Sequence, residues 1–451
     1  MLCGQRSVYG PVHPGIFLDL TSSLSVFLLK NACCVYLREG DAAEASSGRR
    51  ESMSLLDKLA DRASWERFYD YKCSLAVPGD FTKQLRGFID DGAYLPVCAA
   101  IEAGKAFPLP RMSVISKQST QKKRTVFTYP DAENMVLKLL TYLLLRQYDG
   151  LFADGLYSFR PGRTAKDAIR MLRAVPGIAE MYSYKADVSD YFNSIPVEKL
   201  LPMLREALAE DPRLYAFLSG LLEEPNAIHE GRIVQTRKGI MAGTPLSSFY
   251  ANLYLSDMDR FFAEQDILYS RYSDDIIVFA DTREKTEEYR QTVLDFLREK
   301  GLGLNPDKES FSGPEDGFVY LGFSYKKGIV DIAPASVVKL KAKMRRKARA
   351  LARWGLRNGI DPEKTAKAFI RIFNRKLLET SPDSDLTWSY WFFPSLNTDK
   401  SLRAVDHYAQ ECVRYLISGT RTKARFNVRY GDMKQLGYKS LVHEYYRFGE
   451  E

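Results

Sequence analysis

Two acidic clusters, Asp187-Val188-Ser189-Asp190 and Tyr272-Ser273-Asp274-Asp275, stand far apart in the chain, each set among apolar residues of strand type. Carboxylates offered from two strands are hard oxygen donors, the ligands that Mg²⁺ prefers. A pair of divalent cations about 3.5–4 Å apart serves in-line phosphoryl transfer, and aspartates from separate strands are the least equipment such a pair requires. The second cluster can be read further. Ser273-Asp274-Asp275 is turn-forming and lies between Leu268, Tyr269 and Tyr272 on one side and Ile276-Ile277-Val278-Phe279 on the other, so a hairpin with its acids at the tip is expected. Adjacent strand residues face opposite ways, so the two acids cannot serve a metal equally unless the turn bends both inward; Asp274 is the expected stronger ligand. A lone Asp-Asp pair is usually a solvated turn. Its company weighs against that here, because Tyr182–Val188 is also strand-like, carries Asp187 near its end and is followed by Tyr191 and Phe192.

The segments that must position these acids come in a telling order. From Arg111 to Tyr325 their sequence, spacing and identity resemble the reverse transcriptases of the prokaryotic group II intron lineage. Tyr272–Asp275 matches that family's Tyr-x-Asp-Asp box and Asp187 its first metal-binding aspartate. The resemblance implies that Asp187, Val188, Asp274 and Asp275 hold two Mg²⁺ ions, for which Mn²⁺ can substitute. It implies that Phe192, five residues past Asp187, packs under the sugar of the incoming nucleotide and excludes a 2′-hydroxyl. Lys122, Lys123 and Arg124 match the basic segment that grips the triphosphate, a task suited to a guanidinium fork. Tyr157–Ala165 resembles the Phe-Arg-Pro-Gly-Arg block, with Arg160 and Arg163 expected on nucleic acid. Lys308 matches a lysine that protonates the leaving pyrophosphate. Phe318–Phe323, with Leu321 and Gly322, resembles the hairpin that grips the primer end, where Tyr272 is also expected.

One position departs from the pattern. Gly239–Ser248 aligns with a block that normally carries glutamine where this chain has Ala242, and alanine cannot hydrogen-bond the nascent base pair. Gly243 keeps the expected nucleotide-side role; Ala242 is assigned none.

The wider chain agrees. Its 451 residues are 45% hydrophobic and 27% charged, enough for two or three subdomains, and 65 basic against 57 acidic residues leave a net +8. That charge is uneven, since Lys339–Arg349 holds seven cations in eleven positions on a helix-prone stretch just after the primer-grip segment. There the family places a thumb helix against the template–primer duplex, and Lys341, Arg345 and Arg349 are its expected phosphate contacts. Asp281–Lys300 reads as an amphipathic helix with an Asp281/Glu284 cap and Gly301 as its stop, packed behind the sheet. The expected fold is therefore α+β, a right-hand polymerase of fingers, antiparallel-sheet palm and helical thumb with helical extensions at both ends. Its divisions are 1–52, a loosely attached leader or over-extended start; 53–104, an N-terminal helical extension; 105–334, fingers and palm; and 335–451, thumb and C-terminal RNA-binding region.

The C-terminal stretch interleaves aromatics and cations, which can bind single-stranded RNA, although Trp388–Phe393 is better read as core. This tail resembles that of bacterial reverse transcriptases domesticated for defence against phage. The cysteines include no Cys-x-x-Cys and His13, His229, His407 and His443 are scattered, which disfavours a metal-bound DNA-cutting module. Ile16–Leu37 is interrupted by Asp19 and Lys30 and falls short of a membrane span, and the cysteine usage fits a reducing cytoplasm. The expected partners are a structured non-coding RNA template, a DNA primer or product and deoxynucleoside triphosphates, without a membrane and with a homo-oligomer left open. Competing readings are a retron, CRISPR-associated or intron-derived polymerase, and an RNA-binding splicing factor with a vestigial site. Three acids beside RNA phosphate would repel the ligand of a pure binding module.

Overall fold

The computed structural model describes residues 53–75, 79–116, 123–236, 239–379 and 388–450. The expectations for 1–52 and for Lys122 fall outside them. The described residues begin with a 3-10 turn at Asp57–Leu59 and the helices Arg62–Ser74, Gly79–Asp90 and Leu95–Glu102. Asp61 caps the first of these helices by accepting the Ala63 and Ser64 amides. Trp65 ties them together: it is fully buried, donates its indole N–H to the Leu59 carbonyl at 2.8 Å and packs on Phe88 and Tyr94.

Among the described residues, eleven strands follow in three sheets. β1 (Arg111–Ser116) and β2 (Lys123–Thr128) pair antiparallel and are joined by β4 (Asn226–His229) and β5 (Arg232–Gln235) in the order β2-β1-β4-β5. The central sheet runs β6 (Tyr269–Tyr272), β7 (Asp275–Ala280), β3 (Tyr182–Asp187) and β8 (Ser310–Ser312), antiparallel throughout. A third sheet is the meander β9 (Phe318–Tyr320), β10 (Phe323–Lys326) and β11 (Ile329–Ile332).

Strand alternation makes the central sheet the wall between two cores. On one face Tyr184, Ala186, Tyr269, Ile276 and Val278 join the core built with the N-terminal helices and the helix Asp131–Gln147. On the other, Tyr272, Ile277 and Phe279 join the meander and the C-terminal helices. Behind the first face lies the helix Arg283–Glu299, with Val293 and Leu297 buried. Its cap differs from the expectation: the Thr282 side chain, not Asp281, accepts the Lys285 amide. Threonine at this place has the extended backbone an N-cap requires. Gly301, at φ 71°, ends the helix as expected.

The basic stretch forms the helix Pro334–Arg357, which packs with Pro362–Leu377 and Lys400–Ser418. Phe392 and Phe393 are buried in this second core, in keeping with the core reading of the aromatic cluster. Asp406, itself buried, accepts the Tyr438 and Ser440 hydroxyls and the Leu441 and Val442 amides, holding the start of the last helix, Leu441–Glu450. Among the described residues no helix is long and apolar enough to cross a membrane.

Candidate active site

Both acidic clusters end at the same edge of the central sheet. Asp187 closes β3 and is the direct cross-strand partner of Asp275, the first residue of β7, so the two side chains share the face toward the second core. The Val188 amide donates to the Asp274 carbonyl at 3.0 Å, tying the turn to the end of β3. The turn itself works because Ser273 takes a left-handed φ of 60°, which reverses the chain between β6 and β7.

The carboxylates do not stand free. Lys308 Nζ lies 2.5 Å from Asp187 Oδ2, and Lys185 Nζ lies 3.3 Å from Asp275 Oδ1. Asp274 is half-buried; burial, then the charges of Asp275 and Asp187, pushes its carboxyl up to about 7. Three carboxylates thus gather at the turn and offer oxygen donors alone. That donor chemistry fits hard divalent cations, although among the described residues no three acidic, cysteine or histidine groups converge as a finished metal cluster. Two ammonium groups stand beside the outer acids instead.

Around the acids the expected residues divide. Arg124, on β2, is half-buried and senses Asp274, Asp190 and Asp187; burial nevertheless holds its guanidinium below its ordinary range. Its Nη1 is buried without a hydrogen-bond partner, as expected of a donor that awaits an anion. Lys123 beside it is exposed. Phe192 is buried against Tyr191 and Phe159, and the Ile240 amide donates to its carbonyl at 2.9 Å. Gly239 lies so close that an added Cβ would stand 2.4 Å from the Phe192 carbonyl oxygen, so only glycine fits there. The Ala242 carbonyl accepts the Phe127 amide at 2.8 Å, and Gly243 follows at φ 100°, so this loop docks β2 beside the acids.

Other expected residues lie on the rim or inside. Tyr272 is buried beside Phe159. Leu321 and Gly322, at φ 49° and 86°, make the β9–β10 turn. Arg163 is paired with Asp154 yet keeps 29% of its side-chain surface exposed. Arg160 corrects the expectation of nucleic-acid contact: it is buried, and its guanidinium is taken up by the Asp149 carboxylate and the Ala153 and Leu156 carbonyls. It holds the loop before the arginine block, and no donor is turned outward for phosphate. On the basic helix Arg345 and Arg349 are exposed, whereas Lys341 is half-buried with Nζ 5.8 Å over the Tyr408 ring.

Residues 115–325 match the family described as reverse transcriptase (RNA-dependent DNA polymerase). This segment is a reverse transcriptase domain. The group II intron-encoded protein LtrA of Lactococcus lactis is 23% identical over 262 residues, 56% of this chain and 41% of its own length. The retron Ec86 reverse transcriptase of Escherichia coli is 22% identical over 238 residues, 52% of this chain and 68% of its own. The chain therefore spans about two fifths of the first relative. The apo telomerase structure from Candida tropicalis superposes with a TM-score of 0.42 at 11% identity, over 73% of this chain and 69% of that one. The reverse transcriptase domain has the right-hand polymerase fold, with the central antiparallel sheet as its palm.

Several residues that shape the site escaped the sequence reading. Lys185 was legible in principle, because two residues before Asp187 on a strand means the same face. Phe159, at φ 58° between Phe192 and Tyr272, lies in the Tyr157–Ala165 block without announcing its role. Arg271 and Asp259, both fully enclosed, gave one weak signal: a cation alternating with apolar residues in a buried strand must have a partner somewhere.

Proposed function

We propose that the chain is an RNA-directed DNA polymerase that copies an associated structured RNA into DNA, and that it does so in antiphage defence. The observation that carries the enzymatic part is the cross-strand pairing of Asp187 with Asp275 beside Asp274 inside a reverse transcriptase domain. The defence role is supported by the likeness of the segment beyond the family match to tails of domesticated bacterial enzymes.

In this reading Asp187, Asp274 and Asp275, with the Val188 carbonyl, hold two Mg²⁺ ions, or Mn²⁺ in their place. When bound, such a pair activates a primer 3′-hydroxyl and steadies the triphosphate of an in-line displacement. The protein's own groups orient the reactants. Arg124 offers its unpartnered Nη1, with Lys123, to the triphosphate. Phe192 excludes a 2′-hydroxyl, and Gly243 lets backbone approach the nucleotide without a side chain in the way. Lys308 gives its proton to the departing pyrophosphate oxygen, having been held ready by Asp187. Tyr272, Leu321 and Gly322 support the primer end, Arg163 meets nucleic acid, and Lys341, Arg345 and Arg349 meet duplex phosphates.

Sequencing the nucleic acid that co-purifies with the chain, beside an Asp274→Ala/Asp275→Ala variant, tests this. One RNA in both samples, with complementary DNA only in the parent, is the expected result. RNA without complementary DNA in the parent, together with no primer extension in vitro, overturns the enzymatic reading.

A further inference from the structure

A guanidinium sealed behind the acidic turn is the least expected charge in the molecule. Arg271 lies on β6, on the face opposite Asp187 and Asp275, with no exposed surface. Its Nε and Nη2 donate to the two Asp259 oxygens at 2.7 and 2.5 Å, a fork that fixes the plane of the group. Asp259, from the helix Ser256–Glu264, also accepts the Tyr269 hydroxyl at 2.9 Å. The remaining contacts go to backbone: Nη2 to the Asn252 carbonyl and Nη1 to the Ser273 carbonyl, each at 3.2 Å.

Ser273 is the residue before Asp274, and it holds the left-handed backbone on which the turn depends. A serine persists there only where its surroundings over-determine it. Both of its backbone groups are fixed from the core. Its amide donates to Ser158 Oγ at 2.9 Å, and Ser158 exchanges hydrogen bonds with the Asn252 side chain at 3.0 and 2.7 Å. Its carbonyl takes the Arg271 bond. A buried ion pair is weak evidence for stability, because apolar residues of similar volume often replace one without loss. What an apolar pair cannot supply is a directed donor to the carbonyl that precedes the acids.

We propose that Arg271, oriented by Asp259, is a positioning residue that pins the Ser273 carbonyl and so sets the placement of Asp274 and Asp275 for cation binding. This rests on the polymerase reading of the same turn. The test is an Arg271→Met/Asp259→Leu double variant and an Arg271→Lys single variant, each compared with the parent by thermal melting, by calorimetric titration with Mn²⁺ alone, and by primer-extension kcat and KM. The double variant is expected to melt below the parent, because the Tyr269 hydroxyl and the Asn252 and Ser273 carbonyls lose their partners, and, at temperatures where it is fully folded, to bind Mn²⁺ more weakly and to lose about 10²-fold in kcat with little change in the nucleotide KM. Arg271→Lys, which keeps the charge and a donor group but not the planar fork, is expected to recover part of both losses. Mn²⁺ binding and kcat equal to the parent in a folded double variant would overturn the proposal. If the double variant does not fold, Arg271→Lys decides: activity that falls only in step with the folded fraction overturns it, and a kcat and Mn²⁺ loss in fully folded protein supports it. A parent that binds Mn²⁺ but extends no primer sinks the polymerase reading instead.

Discussion

The acidic turn and the basic helix Pro334–Arg357 manage charge in opposite ways. At the turn the outer acids have named partners, Lys308 for Asp187 and Lys185 for Asp275, and the backbone beneath is held by a buried ion pair. On the helix Arg345, Arg346, Arg349, Arg353 and Arg357 face water. Enclosed charges interact strongly at short range and depend on geometry, whereas exposed ones act through a screened field that tolerates movement. The first region should therefore answer substitution almost all-or-none and the second by degrees.

The sharpest way to break that contrast is Asp274→Ala/Asp275→Ala. Primer extension should fall by at least about 10³-fold, as for removal of groups that hold transition-state charge. The metal-free fold should melt near the parent, because relief of the repulsion between the two carboxylates offsets the lost Asp275–Lys185 pair. Extension at the parent rate would show that the turn is not the site. Next in size is the sugar gate. Phe192→Val should let ribonucleotides compete about 10–200-fold better, the usual worth of a shape contact. An unchanged preference for deoxynucleotides would move the gate away from the residue that Gly239 buttresses.

A smaller effect is expected from pH. With the Asp274 carboxyl raised to about 7, protons and cations compete for it near neutrality. One pH unit below that point only about a tenth of such groups are ionised, so the Mg²⁺ concentration for half-maximal rate should rise as pH falls from 8 to about 6. The linked stability runs the other way in metal-free protein. A carboxyl raised above its unfolded value of 3.8 favours the fold below that value, and the benefit is lost as pH rises through about 7. Asp274→Asn should flatten that slope in melting curves recorded without metal. A slope unchanged by the substitution would assign it to another group.

What was legible in the sequence follows from how local the cause was. The β6–β7 hairpin was readable because turn-forming residues interrupt two apolar runs, and the helix Arg283–Glu299 because its apolar period is regular. That Asp187 meets Asp274 and Asp275 was expected only through resemblance, and its direct pairing with Asp275 was not foreseen, since register between strands nearly ninety residues apart leaves no local trace. Arg160 was misread for the same reason. Its block looks like a nucleic-acid contact, and only the fold shows that Asp149 and two carbonyls consume its donors. Arg271 and Asp259 are twelve residues apart on different elements, so neither announces the other.

The mildest change should come from the helix, and its form is more telling than its size. Phosphate contacts release counterions, so the logarithm of affinity falls with the logarithm of salt by about 0.7–0.9 per contact. Arg345→Gln/Arg349→Gln removes two exposed cations, and the slope for RNA–DNA duplex binding should shrink by about 1.4–1.8. The variant's deficit should accordingly be greatest at low salt and narrow as salt rises. Lys341→Gln should change the slope less, because that ammonium already rests over the Tyr408 ring and is half withdrawn from solvent. Filter binding across a salt series measures all three. Equal slopes in parent and double variant would mean that this face does not meet phosphate, and the basic helix would then be a solvated surface with no part in the contrast drawn above.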